Sequence, residues 1–359
     1  VLLSHFEAFA PICVRCRLLG RGEQRLALGV VARRDGDDLL DATLQCEVPE
    51  CRFEYPVIAG IPILVSDVRD HVVRALPELR AGDALSPLAE SILGDCAGPD
   101  SELGRSRLYL SSYGQAHWGD LGPGATPATA GLVPVLDAAL ELAARGDGGV
   151  SGRWLDLGCS VGRGAFELAA RTGALALGLD VSVAMLRCAR RIARTGRLRH
   201  PVRQVGVVHG TRDVPLDLPH RDRVDFWYAD ATALPLRAGS VAGALALNTL
   251  DSVAVPLALL HELAHVLADG GRGVLATPYD WAAHATPIEH WIGGHSQRGP
   301  GGGSSAAELR RILAATDRPA GAPSLAIDAA RDDVTWVMTM HERAAVHYRL
   351  DMVRVRPDR

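Results

Sequence analysis

One stretch, GRWLDLGCSVGRGAFELAARTG from Gly152 to Gly173, constrains the chain more than any other. RWLDL is a short apolar strand. It runs into a glycine-rich turn, Gly158-Cys159-Ser160-Val161-Gly162, and then into a helix with Phe166, Leu168 and Ala169 on its inner face. A strand, a glycine turn and a helix in this order make a nucleotide site, because backbone amides at the helix start can approach a ligand closely. Asp156 stands just before the turn. The unit predicts an α/β fold.

The stretches that follow extend the pattern. ALALGLD is a strand ending in Asp180, and a carboxylate there accepts ribose hydroxyls from either a nicotinamide cofactor or S-adenosylmethionine (SAM). VDFWYADATALPL is a strand ending at Asp230. VAGALALNTLDSV is a strand ending at Asn248 to Asp251. ELAHVLADGGRGVLATP reads as a helix, a Gly-Gly turn and a strand. A strand-end Asp can also be a solvated carboxylate or a helix cap. Three such carboxylates at successive strand ends favour a ligand. The insertion from residue 197 to 223 reads as a strand and loop, and its His200, His209 and His220 lack metal-ligand spacing. The C-terminal DVTWVMTMHERAAVHYRLDMVRVR gives two alternating runs around ERAA, which predicts an antiparallel hairpin.

This order of elements resembles the class I SAM-dependent methyltransferases over about residues 130 to 355. The resemblance implies a Rossmann-like seven-stranded sheet whose last strand is antiparallel. It implies SAM as cofactor. Asp156, Gly158, Ser160 and Gly162 would shape the methionine end of its pocket. Asp180 would hold the ribose, Asp230 and the Ala231 amide the adenine, and Asn248 would sit beside the methionine moiety. Met185 would pack on the adenine face, or simply fill helix core.

The segment PYDWAAHATPIEHWIGGHSQRGPGGG, Pro278 to Gly303, starts where the last parallel strand ends. It is too rich in Gly and Pro for regular structure. Ligands in open α/β sheets bind at the carboxyl ends of strands, so this loop is expected to wall the methyl-acceptor site. Tyr279, Trp281 and Trp291 could stack on a planar or cationic group, or could anchor the loop to the domain body. NTLDSV, this loop and the terminal hairpin together resemble the methyltransferase domain of ovothiol-biosynthesis enzymes, over roughly residues 224 to 350. That resemblance implies transfer to a ring nitrogen of histidine or a thiol-histidine-like metabolite. After Gly294 the sequence departs from the pattern, and HSQRGPGGG could read a carboxylate through Arg298. The candidate base is Asp251, with His117 next. Glu289, His290 and His295 belong to the substrate-binding set. Upstream, SSYGQAHWGDL is expected to fold over the cofactor site and close it with Tyr113, His117 and Trp118, unless it is a surface turn.

The N-terminal part is different in kind. CVRC places Cys13 and Cys16 two residues apart, and CEVPEC places Cys46 and Cys51 four apart. Two cysteine turns at hairpin tips can offer four thiolates to one tetrahedral zinc ion. A region of this size has little core of its own, so a structural Zn2+ would help it fold. With the tail YPVIAGIPILV, residues 10 to 66 resemble the Trm112-like zinc ribbons that activate methyltransferases. The expected division is a small β zinc-ribbon domain at 1–67, a helical linker and active-site cap at 68–125, and the methyltransferase domain at 126–359.

Charge bears on the partner. The net charge is −4, and the first 70 residues hold eight Arg against eleven Asp plus Glu. This disfavours nucleic acid and favours a small-molecule acceptor. The alternative is a methyltransferase of RNA or of a translation-associated protein, recruited through the ribbon. A third reading is a non-enzymatic SAM-binding partner. No apolar run is long enough for a membrane span, and an odd cysteine count with four clustered fits a reducing cytoplasm.

Overall fold

The computed structural model describes residues 1–81, 86–122, 131–144, 152–316 and 318–358. The expected boundary at 125/126 lies outside them. The strands are β1 (Leu26–Asp35), β2 (Asp38–Cys46), β3 (Glu54–Ile58), β4 (Ile61–Pro62), β5 (Trp154–Leu157), β6 (Ala176–Asp180), β7 (Arg197–Val205), β8 (Val208–Pro215), β9 (Val224–Tyr228), β10 (Val241–Leu247), β11 (Leu267–Thr277), β12 (Leu325–His341) and β13 (Ala344–Pro357). The helices are α1 (Leu3–Phe9), α2 (Val14–Leu18), α3 (Val68–Arg74), α4 (Leu76–Ala81), α5 (Pro87–Cys96), α6 (Glu102–Trp118), α7 (Val133–Ala144), α8 (Arg163–Thr172), α9 (Val183–Thr195), α10 (Pro256–Val266) and α11 (Ser305–Ile312).

Seven strands form the central sheet in the order β12-β13-β11-β10-β5-β6-β9. β11, β10, β5, β6 and β9 pair in parallel, and β13 is antiparallel to both β11 and β12. The terminal hairpin thus places the last strand inside the sheet. This is the Rossmann-like seven-stranded sheet, with its last strand antiparallel, that the sequence predicts. Its middle strands are mostly apolar, with Asp156 and Asp225 the exceptions in β5 and β9, because both faces are covered. Side chains alternate between them: Leu155, Leu157 and Trp227 join one buried cluster, Trp154, Phe226 and Tyr228 the other. The Gly270-Gly271 pair, expected to be a turn, lies within β11 as an irregularity in its pairing with β10.

The N-terminal strands make a separate antiparallel sheet, β1-β2-β3-β4. Its core is nevertheless continuous with one face of the large sheet, since Leu44, Tyr55 and Leu64 share a cluster with Leu155 and Leu179. The chain leaving β4 runs beside β9: Ile63 bridges Tyr228 in parallel, and the Leu64 amide donates to the Tyr228 carbonyl at 2.8 Å. Asp38 of β2 bonds Arg190 and, at 3.1 Å, Arg194 of α9, and Arg194 reaches Asp225 of β9 at 3.2 Å. Burial alone would raise the Asp38 pKa, but the Arg190 hydrogen bond and the nearby positive charges hold it below the usual carboxylate range. Arg17 pairs with Glu262 of α10 at 2.6 Å, and Glu262 also accepts the Leu234 amide at 2.7 Å. The Ile12 amide donates to the Pro235 carbonyl at 2.9 Å. The loop that follows Asp230 is therefore held on several sides by the N-terminal sheet.

The three short helices α3, α4 and α5 follow, and Pro77 and Pro87 fall in first turns rather than acting as breaks. Pro at the first position of a helix loses no bond and has its φ preset. α6 then lies across β7 and β12, and the 197–223 insertion is the β7–β8 hairpin.

Candidate functional site

The glycine turn sits at the carboxyl end of β5. Gly158 has φ +72°, and a Cβ there would lie 2.4 Å from the Thr249 hydroxyl oxygen. Gly162 has φ +90° and presses on the Phe226 ring. Any side chain at either position would be both strained and obstructed. The Gly158 and Cys159 amides donate to the Leu179 carbonyl at 2.8 and 3.0 Å, which joins the turn to β6. Asp156 is buried beneath it, against Gly164 at the start of α8. Burial pushes its pKa up to about 7, against the stabilising Ala165 amide, and the Asp180 charge adds to the rise. Asp156 thus braces the turn from behind.

Asp180 ends β6. Its Oδ2 accepts the Ser160 amide and its Oδ1 the Ser182 amide, both at 2.8 Å. The carboxylate is fixed in direction. Ser182 in turn caps α9 by accepting the Met185 amide, and Met185 is buried in that helix's first turn. Asp230 follows β9 and accepts both the amide and the hydroxyl of Thr232 on one oxygen, Oδ1, at 2.8 and 2.7 Å. Ala231 beside it is buried. Asn248 follows β10 in a left-handed conformation, φ +55°, with its amide on the Ala276 carbonyl at 2.7 Å. Its Oδ1 and the Ser160 Oγ are buried with no hydrogen-bond partner. Buried polar atoms are normally satisfied. Two orphans beside the glycine turn fit a site shaped for a polar ligand. The fold brings Asp156, Gly158, Ser160, Gly162, Asp180, Asp230 and Asn248 to one edge of the sheet.

Asp251 is buried beside this edge. Its carboxylate accepts the Asp280 amide at 2.9 Å and the Thr277 hydroxyl, and its own carbonyl accepts the Ala282 amide at 3.0 Å. Burial raises its pKa against those bonds. Asp251 therefore pins the start of the 278–303 loop as well as lying near the site.

The aromatics of the loop engage one another and the domain body. Trp281 and Trp291 stack on each other, ring centres 5.8 Å apart and planes 10° apart. Their N–H groups go to Ser305 Oγ at 3.2 Å and the Thr286 carbonyl at 2.9 Å. Tyr279 donates to Asp351 at 2.6 Å, and Arg310 clamps the same carboxylate with two 2.7 Å bonds. These aromatics hold the loop together, because each has a partner inside it or on the domain body. Glu289, His290, His295 and Arg298 are exposed. His290 caps the Ala254 carbonyl at 2.9 Å, and His295 lies near Glu308. Two glycines of the loop are fixed by its own backbone: Gly293 abuts the Ser305 backbone, and the Gly294 amide bonds the Gly303 carbonyl at 2.8 Å.

SSYGQAHW is the end of α6, and the GDL that follows is the turn leaving it. Trp118 is fully buried behind the glycine turn and donates to the Val161 carbonyl at 3.0 Å, so it supports the turn and lines no open pocket. Burial, with the Arg163 charge, drives the His117 pKa down to about 3, which leaves a neutral ring and a weak base. Tyr113 packs against His117 and Trp336, with ring centres 6.1 and 6.2 Å away. Burial raises its phenol pKa, and Asp180, Tyr348 and Asp251 are among the charges that act on it. Asp280, Trp336 and Tyr348 are residues that sequence reading missed. The signal was present: Trp336 and Tyr348 share parity in the two alternating runs and pair directly across the hairpin.

The four N-terminal cysteines converge. All four Sγ atoms lie within 4.8 Å of one another, with Cys13–Cys51 at 3.9 Å and Cys16–Cys46 at 3.6 Å. Tetrahedral Zn–S bonds of about 2.3 Å would space the sulfurs about 3.8 Å apart. The Cys16 amide donates to Cys13 Sγ at 3.4 Å. Cys13 caps the short helix α2, so the first pair lies at a helix start rather than a hairpin tip.

Residues 155–275 match the family model described as a methyltransferase domain. No curated protein matches the chain. Among solved structures, the chain is similar to magnesium protoporphyrin IX methyltransferase from Synechocystis PCC 6803, with 18% identity over 69% of this chain and 96% of that one, TM-score 0.40. It is similar to a chain in the complex of the Haloferax volcanii Trm112 methyltransferase activator with a methyltransferase, with 17% identity over 54% and 70%, TM-score 0.34. It is also similar to the [4+2]-cyclase SpnF, with 25% identity over 45% and 49%, TM-score 0.32. The chain spans about half the length of the first relatives it matches. At these TM-scores the likenesses say nothing of an acceptor. The stretch from 155 to 275, which supplies most of the parallel strands of the sheet, matches a methyltransferase domain.

Proposed function

We propose that the chain is a SAM-dependent N-methyltransferase of a small molecule, with the imidazole of histidine or a thiol-histidine-like metabolite as the acceptor class. The observation that carries the cofactor part is the ring of Asp180, Asp230 and Asn248 around the glycine turn, with Ser160 Oγ and Asn248 Oδ1 left unpartnered. Asp180 holds the ribose hydroxyls, its direction fixed by two backbone amides. Asp230 and the Ala231 amide hold the adenine, and Met185 packs against it. Asp156 keeps the turn in shape from below. When bound, SAM supplies an electrophilic methyl group on a sulfonium. The protein's part is to align the acceptor nitrogen and remove water from it. An imidazole needs only a weak base to select its reactive tautomer. Asp251 is nearest that role, being buried at the end of β10 with its pKa raised. His117 serves as a neutral hydrogen-bonding wall. The exposed residues Glu289, His290, His295 and Arg298 meet the acceptor only at the mouth of the site.

The cysteine cluster is read as a structural Zn2+ site, and residues 1–67, 68–125 and 126–359 as ribbon, cap and methyltransferase domain. A groove of about 750 Å³ on the ribbon carries Arg15 and Arg69 beside Glu54 and Asp67. Its balanced charge gives nucleic acid no basic face. No described helix is long and apolar enough to cross a membrane, and the cytoplasm is the compartment we assign from the clustered thiols.

The deciding experiment supplies radiolabelled SAM with a cell extract split by size. Label on small molecules, above all on imidazoles, is the expected result. Label on RNA or protein overturns the acceptor class.

A further inference from the structure

The inner face of the ribbon sheet sets a phenol beside the thiols. Tyr55 lies in β3, where side chains alternate between buried and open positions, and it joins the core that holds Cys13, Cys16 and Leu44. It is fully buried. Phe53 meets its ring edge to face, with centres 5.0 Å apart and planes at 74°, and the Arg15 guanidinium covers Phe53 at 5.0 Å. These contacts hold the Tyr55 ring in place.

The phenol oxygen lies 3.2 Å from Cys13 Sγ and accepts the Arg15 amide at 3.2 Å. With that lone pair engaged, the hydroxyl proton is free to turn to the sulfur. Cys13 Sγ also accepts the Cys16 amide at 3.4 Å. A thiol could donate to the phenol as well as accept from it, but a metal-bound thiolate has no proton and can only accept. Four thiolates around one divalent zinc ion leave two negative charges in excess, and charge inside a protein is costly unless it is hydrogen-bonded. Cys51 is half-buried and can share its charge with water, whereas Cys13 is sealed from solvent. Cys13 depends on protein donors, and the Tyr55 hydroxyl and the Cys16 amide supply them.

We infer that Tyr55 tunes the metal centre without ligating it: its hydroxyl donates to the Cys13 thiolate and stabilises the charged form of the sulfur that binds zinc. This rests on the reading of the four cysteines as a Zn2+ site. The centre is then more than four sulfurs. It includes a phenol oriented by Phe53 and by the Arg15 amide, and a change at Tyr55 alters the metal even though every ligand is intact.

The test loads the full chain with Co2+ in place of zinc and reads its absorption. Visible bands of tetrahedral cobalt and near-ultraviolet sulfur-to-cobalt charge-transfer bands are expected. Tyr55→Phe removes one oxygen and keeps the ring. Its charge-transfer bands should move to lower energy, because a sulfur without the hydrogen bond gives up an electron more readily. Zinc affinity should fall about tenfold to a hundredfold, the usual scale for losing a partner of a metal ligand. Phe53→Leu disturbs the packing but keeps the hydroxyl, so it should leave the bands in place whatever its effect on stability. Affinity lost in both variants with no band shift in either makes Tyr55 a packing residue and overturns the inference. If Tyr55→Phe takes up no metal, the unaltered chain decides. Loaded with the NMR-active isotope of cadmium, it should show scalar coupling between the Tyr55 hydroxyl proton and the metal, and absence of that coupling overturns the inference. Cobalt bands missing from the unaltered chain overturn the zinc reading and the inference together. Bands present and identical in Tyr55→Phe overturn the inference alone and leave the zinc reading standing.

Discussion

The Ser160 amide donates to the Asp180 carboxylate at 2.8 Å, tying the glycine turn to the end of the neighbouring strand. A single carboxylate thus shapes the turn and presents its remaining lone pairs to the site. Replacing Asp180 with Ala should weaken SAM binding by about tenfold to a hundredfold, the scale of one or two charge-assisted hydrogen bonds. Calorimetric titration checks this. Unchanged affinity would remove Asp180 from the cofactor site.

The tryptophan pair is predicted to act on stability first. Trp291→Ala should lose the stacking term of about 0.5–1.5 kcal/mol, with the burial term in addition. SAM affinity should stay as in the intact chain. A thermal melt and a titration on one preparation separate the two effects, and a change confined to acceptor kinetics with no loss of stability would contradict the anchoring role.

Metal removal should reach the cofactor. The ribbon is tied to the segment after Asp230 through Ile12–Pro235 and through Arg17–Glu262–Leu234. A strong chelator, or Cys16→Ser, should loosen those contacts and weaken SAM binding. Hydrogen exchange of residues 230 to 238 should speed up in parallel. Unaltered exchange and affinity would make the ribbon independent of the site.

Two buried groups should give opposite pH slopes. Asp156 has a folded pKa raised to about 7. The folded state holds its proton more tightly, so this term stabilises below pH 4 and is lost as pH rises toward 7. His117 is lowered to about 3, so its term disfavours folding in acid and the penalty disappears as pH rises toward 6.5. Each contributes at most about 1.4 kcal/mol per pH unit, and the two offset between pH 4 and 6.5. Asp156→Asn should therefore steepen the gain in stability with rising pH across that window, and His117→Gln should reverse it. Denaturant melts at four pH values check this, and parallel profiles for all three proteins would count against both shifts.

Much of this molecule is local and therefore legible in its sequence. The glycine turn with Asp156, Asp180 and Asp230 at strand ends follows from short-range chemistry: only glycine tolerates the positive φ and the close neighbours at 158 and 162, and apolar runs mark strands buried on both faces. The cysteine spacing likewise announces a cluster, and its four sulfurs do meet. What the sequence could not decide is which aromatic residues face the site. Trp281 and Trp291 look available in a flexible-seeming stretch, yet a ring stack and two N–H bonds commit them to each other and to the loop. Trp336 and Tyr348 look like ordinary hairpin residues. They stack on each other because β12 and β13 pair in a register that sets them opposite, with β13 inserted antiparallel beside β11. Composition and spacing determine which residues can form a turn, a strand or a metal knuckle. Orientation toward a shared pocket depends on strand order and register between segments far apart in the chain, which only the folded sheet decides.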